Sequence, residues 1–89
     1  MSKKCILVDE KDNVVVATEA LFDGDKAEYP SGEFCAVGNV PVYHKVARKD
    51  IACGENVVKY GQVIGKADCD IKMGEHVHVH NVVSIRQNF

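Results

Sequence analysis

A chain of 89 residues, 46% hydrophobic, with a net charge of −2 and a pI near 6.0, has room for one small globular domain. It is too apolar to be disordered, its scattered basic residues form no stripe for nucleic acid, and no apolar run approaches the roughly 20 residues that cross a bilayer. Cysteines 5, 35, 53 and 69 form no Cys-x-x-Cys pair and follow no export signal, so reduced thiols and a cytoplasmic location are expected.

In chain order the predicted elements are strands and turns. Residues 4–9 and 14–19, either side of the turn-prone Asp12-Asn13, predict an opening hairpin. Residues 18–21 allow a turn of helix or a loop, and residues 23–33, polar and rich in Gly and Pro, read as loops around a short segment. Phe34-Cys35-Ala36-Val37 predicts a short strand, and Pro41 confines pairing within residues 40–47 to a strand start or an edge. Further strands are expected at residues 57–60, 63–67, 76–80 and 82–85. Many short strands between Gly-rich turns indicate an all-β barrel-like or clip-like domain filling residues 1–89.

One motif occurs twice. Asp50-Ile51-Ala52-Cys53-Gly54-Glu55-Asn56-Val57 is answered by Asp70-Ile71-Lys72-Met73-Gly74-Glu75-His76-Val77. The pattern Asp-Ile-x-x-Gly-Glu-x-Val predicts a turn on the Gly, an acid left in water and a Val turned inward. Leu21-Phe22-Asp23-Gly24-Asp25 is a fainter third copy, so one supersecondary unit is reused. Cys53, matched by Met73, is expected to be small, apolar and half-buried.

The chemistry concentrates in His76-Val77-His78-Val79-His80-Asn81. On a strand the three imidazoles would share one face and Val77 and Val79 the other, buried one. Same-face neighbours lie about 6.7 Å apart, close enough for two rings to meet one cation. Such a cation would need further ligands from elsewhere, and imidazole suits zinc, iron, copper or nickel. The plain alternative is a half-solvated strand with histidines outside. His44-Lys45 and Lys59-Tyr60 read by themselves as surface polarity and a strand end.

The run His44-Lys45-Val46-Ala47, Asp50-Ile51, Gly54-Glu55, Val57, Lys59-Tyr60-Gly61, Ile64-Gly65, Asp70-Ile71, Gly74-Glu75 and Val77-His78-Val79-His80-Asn81 covers nearly half the chain. In order and spacing it resembles the SAF domain of the altronate and galactarate dehydratase family. Asp12-Asn13-Val14 fits that family's opening hairpin. The resemblance implies a β-clip fold and a separate small subunit, inactive alone, beside a large catalytic lyase subunit. It implies dehydration of a sugar acid such as altronate or galactarate by β-elimination, with divalent iron or manganese shared with the large subunit.

Sulfolactate sulfo-lyase, a relative of the same organisation, eliminates sulfite from a sulfonated hydroxy acid, and the His76 version of the motif suits it equally. A non-catalytic module that binds a carbohydrate or acid, or a pure assembly domain, are the other readings. Carried over by motif, His44, His78 and His80 are the catalytic candidates and His78 and His80 the metal ligands. Lys45, Lys59, Tyr60 and Asn81 are the substrate-binding candidates. Tyr43 stands where the family usually has Gly, a departure expected to alter the local turn. Neither nucleic acid nor membrane is an expected partner, and a homo-oligomer is left open.

Overall fold

The apolar run Val14-Val15-Val16-Ala17 carries no polar alternation because both of its faces are covered. In the computed structural model, which describes residues 2–84, the strands are β1 (Lys3–Ile6), β2 (Val14–Ala17), β3 (Lys26–Tyr29), β4 (Gly32–Cys35), β5 (Lys45–Ala47), β6 (Asn56–Lys59), β7 (Gln62–Ala67), β8 (His76–Val77) and β9 (Val82–Ser84). Six form one sheet in the order β4-β3-β1-β2-β5-β8, with β1 and β3 parallel and the other neighbours antiparallel. The remaining three form the antiparallel sheet β6-β7-β9.

The fold is all-β, and no helix occurs among the described residues. The opening hairpin is present, and the short strand expected at Phe34 is β4. It pairs in a second hairpin with β3, which lies within residues 23–33 expected as loops around a short segment, and Ala27 and Phe34 face each other, both buried. Ile85, the end of the last expected strand, lies outside the described residues.

β2 and β5 separate two cores. Val15, Ala17 and Val46 pack with Cys5, Leu21, Ala27, Phe34, Ala36 and Val40 on one side. Val14 and Ala47 pack with Ile51, Val57, Ala67, Ile71, Val77 and Val82 on the other. Alternate residues of the same two strands therefore face different halves of the molecule.

The repeated turn is present four times. Leu21, Val40, Ile51 and Ile71, each 1% exposed, pair as isolated bridges, Leu21 with Val40 and Ile51 with Ile71. Three positions later comes a residue at positive φ: Gly24 (87°), Tyr43 (65°), Gly54 (87°) and Gly74 (94°). A bond from the next amide back to the first turn carbonyl closes each, as in Glu75 N–H to Lys72 O at 3.0 Å. Positive φ at the third place is what a type II turn requires.

An alanine stands four residues before each aliphatic: Ala17, Ala36, Ala47 and Ala67. Each exchanges two backbone bonds with a turn. Ala17 pairs with Tyr43 and His44, Ala36 with Gly24 and Asp25, Ala47 with Gly74 and Glu75, and Ala67 with Gly54 and Glu55. At 0–3% exposure these positions leave no room for more than a methyl.

The acids after the glycines stay at the solvent surface, as expected, and there each folds back on its own turn. Asp25 takes the Phe22 amide at 2.8 Å, Glu55 the Ala52 amide at 2.6 Å and Glu75 the Lys72 amide at 2.5 Å. The two clearest copies also lock to each other, Cys53 N–H to Asp70 and Met73 N–H to Asp50 at 2.8 and 2.9 Å. Cys53 is exposed rather than half-buried, because its place is the outer corner of the turn, and all four cysteines are free thiols.

Candidate functional site

The second copy of the turn departs from the other three, and the departure makes the site. Its first residue is Pro41, which has no N–H, so no carboxylate is required to satisfy one. His44 occupies the place of the acid. Tyr43 keeps the turn that a glycine would make, against the expectation of an altered one, at the cost of a left-handed backbone. Released from capping, His44 Nδ1 meets His76 Nε2 at 2.8 Å.

Pairing of β5 with β8 sets Val46 opposite His76 and Lys45 opposite Val77, which brings the two histidine segments side by side. The expected strand 76–80 covers only His76–Val77. Asn81 ends it, its Oδ1 taking the His78 amide at 3.0 Å and its Nδ2 donating to His76 O at 2.8 Å. Residues 78–81 therefore form a β-turn, closed by the Asn81 amide to His78 O at 3.1 Å and braced by the Asn81 side chain. Val77 is buried as expected, but Val79, expected inside, is 70% exposed.

The imidazoles gather by this route rather than by strand alternation. His44 lies 4.9 Å from His76 and 4.6 Å from His78 between ring centroids, and His76 lies 5.4 Å from His78 and 5.2 Å from His80. His76 is the hub, its ring in contact with those of His44, His78 and His80. Beside them a groove of about 340 Å³ is lined by Lys45, Lys59, Tyr60, Ile64, His78 and Val79. That volume sits at the small end of ligand pockets, which run from about 300 to 1,000 Å³.

The donors favour an anion over a cation. His78 Nδ1 accepts the Val79 amide at 2.9 Å, so the neutral ring carries its proton on Nε2 and offers an N–H. His44 and His76 each spend one ring nitrogen on the other. Among the described residues no group of three or more His, Cys, Asp or Glu is disposed to hold a metal ion. The side chains here thus do not by themselves fit an iron or manganese centre, and His78 as arranged presents a donor where a ligand needs a lone pair.

Charge repulsion within the cluster is relieved by loss of protons. Burial, then the neighbouring His78, His44, His80 and Lys45, push the His76 pKa down to about 4. His78 is lowered too, by burial and then by Lys45, His44 and His80. Lys45 is lowered by burial and by Lys59. As pH falls past about 6.5 the unfolded chain takes up a proton at His76. The folded chain does so only near 4. Stability is therefore full above this window and falls with pH through it, since the unfolded state binds more protons there. NMR titration of the His76 ring should show the low midpoint, and an ordinary midpoint near 6.5 would contradict the packed cluster.

The altronate/galactarate dehydratase SAF-domain profile matches residues 3–85. The chain belongs to this family. Altronate dehydratase of Escherichia coli (strain K12) is 42% identical over 76 residues, which is 85% of this chain but 15% of that enzyme. The Bacillus subtilis (strain 168) altronate dehydratase is 34% identical over 79 residues, 89% of this chain and 16% of the enzyme. The (2R)-sulfolactate sulfo-lyase subunit alpha of Chromohalobacter salexigens is 49% identical over 47 residues, 53% of this chain and 50% of that subunit. The SAF-domain chain thus spans about one-sixth of the length of the altronate dehydratases it matches.

Of the residues singled out in the sequence, this SAF domain brings Lys45, Lys59, Tyr60 and His78 to one groove, sets His44 against His78 beside it, and joins His80 to the cluster through His76. Asn81 is 6% exposed and spends its amide on the turn. Sequence reasoning undervalued His76, whose central place follows from its register with Val46, and missed Ile64 as a wall of the groove. A larger hollow of about 410 Å³ lies by Lys4, Cys5, Glu28, Tyr29 and Pro30. Its thiol is pushed up to about 11 by burial and by Glu19, which leaves Cys5 protonated and unreactive near neutrality, so the histidine groove is the candidate site.

Proposed function

We propose that this SAF-domain chain works with a large catalytic lyase subunit in the β-elimination of water from a sugar acid of the altronate or galactarate type. The observation that carries the reading is a groove lined by Lys45, Lys59 and His78, with His78 joined at its edge to the ring cluster of His44, His76 and His80. Lys45 and Lys59 hold the acid's carboxylate, and His78 Nε2–H donates to an oxygen of the substrate. His44, held by His76 across 2.8 Å and 4.6 Å from the His78 ring, takes up or returns the proton that elimination moves. The iron or manganese implied by the family finds most of its ligands on the large subunit, in keeping with the donor set here.

The groove is open to solvent along its length, which supports a partner that closes it. A second reading, supported by the likeness to sulfolactate sulfo-lyase subunit alpha, has the same groove hold a sulfonated hydroxy acid and the assembly release sulfite. A tagged chain recovered from native extract should bring down a much larger stoichiometric protein. The complex, supplied with iron or manganese, should then consume altronate, galactarate or sulfolactate. Recovery of the small chain alone, together with acid binding by that chain, would replace this reading with a free-standing binding module.

A further inference from the structure

Asp12 is 1% exposed and its neighbour Asn13 8% exposed, far below what a carboxylate and an amide tolerate without partners. Apart from the Asp9 amide, their partners come from β6 and the β6–β7 turn. Asp12 Oδ2 accepts the Tyr60 amide at 3.0 Å and the Asp9 amide at 3.2 Å, and Oδ1 accepts the Gly61 amide at 2.8 Å. Asn13 accepts the Val58 amide and donates to Asn56 O, both at 2.8 Å. The dipeptide thereby fastens β6 along its length and ends on the β6–β7 turn.

That turn is strained. Tyr60 and Gly61 both sit at positive φ, 56° and 72°, as the central pair of a two-residue type I′ hairpin in which Lys59 pairs with Gln62. Tyrosine is an unfavourable first residue for such a turn, where Asn or Asp is preferred. One buried carboxylate accepting both of its amides holds the conformation. The same turn presents Lys59 and Tyr60 to the groove, with Lys59 Nζ stacked 4.6 Å from the Tyr60 ring centre.

We infer that Asp12 is a positioning residue: by gripping the Tyr60 and Gly61 amides it sets Lys59 against Lys45 and His78 and fixes the anion-binding geometry of the groove. The inference rests on the proposed acid-binding role of that groove and adds to it a residue outside the groove itself. Asp12 touches no ligand and acts through Lys59 and Tyr60.

Sulfate is the probe, its binding to the full chain followed by calorimetry and by backbone amide shifts. Loss of one charge-assisted bond from the turn in Asp12→Asn is expected to weaken sulfate binding about tenfold and to speed hydrogen exchange at Tyr60 and Gly61. If Asp12 acts through Lys59, adding D12N to Lys59→Ala should weaken binding no further than K59A alone. Tyr60→Asn gives the turn its preferred Asn-Gly pair and should return D12N/Y60N to the affinity of Y60N.

Equal binding by D12N and the parent, or losses that multiply in D12N/K59A, would overturn the positioning role while leaving the groove intact. A D12N/Y60N chain that still fails to fold would make Asp12 purely structural, and overturn it equally. A parent chain that shows no sulfate shifts at Lys45, Lys59 or His78 would instead overturn the acid-binding reading, and this inference with it.

Discussion

Gly74→Ala is expected to cost on the order of 3 kcal/mol or more, enough to leave so small a domain largely unfolded, whereas Gly54→Ala should cost only about 1 kcal/mol. The two glycines hold matching places in sister turns with nearly the same φ, 94° and 87°. Their surroundings differ. A Cβ at Gly54 meets nothing within 4 Å, so only the left-handed backbone is penalised. A Cβ at Gly74 is driven into the carbonyl oxygen of Cys35, with the Val37 amide 3.3 Å away.

That backbone cannot yield cheaply. Val37 N–H bonds to Gly74 O at 2.9 Å, and Val37 bridges Glu75 in parallel, so this turn is where the end of β4 is stitched to the second core. Urea unfolding of both variants beside the parent measures the difference directly. Equal losses would mean that the contact between Gly74 and Cys35 is looser than described.

Replacing His78 and His80 together with alanine is expected to lower turnover by the assembled lyase at least about 100-fold, the scale of a lost acid–base or orienting group. Both rings stand on the turn closed by Asn81, outside the two cores, so the unfolding free energy should stay within about 0.5 kcal/mol of the parent. Losing activity while keeping stability would separate this pair from His76, whose ring is bonded to His44 in the centre of the cluster. Turnover at the parent rate by the double variant would end the role proposed for the groove.

The all-β character was legible because β-branched residues alternate with Gly turns throughout, and the family resemblance was legible because His44 to Asn81 carries its motif in order. Three of the four copies of the repeat were visible. Its second copy is disguised, since Pro41, Tyr43 and His44 stand where Phe22, Gly24 and Asp25 stand in the first. The common signal that survives is the alanine four places before each buried aliphatic, a steric requirement and not a turn preference.

Strand alternation placed His76, His78 and His80 on one face. The strand stops at Val77 because Asn81 offers the backbone a local partner, a competition that a two-residue period does not register. The β3–β4 hairpin was missed for a related reason. Lys26, Glu28 and Glu33 give it a polar outer face, while only the short set Ala27, Tyr29 and Phe34 marks the inner one. Asp12 looked like a turn former. Its carboxylate in fact reaches amides 48 and 49 positions along the chain, which no local pattern could announce.

The ladder β2–β5–β8 also fixes when, during folding, the groove can exist. Val15 must find Val46 and Val46 must find His76, closures of about thirty residues each, so the contact order is high and folding slow beside that of a helical chain of this length. Residues 5–46 contain the whole of the first core and can condense early, while the second core waits for Val82. His44 belongs to the early half and His76 to the late one. A growing or truncated chain can therefore be half assembled and still possess no imidazole pair, and the 2.8 Å contact between them is the mark of a finished molecule.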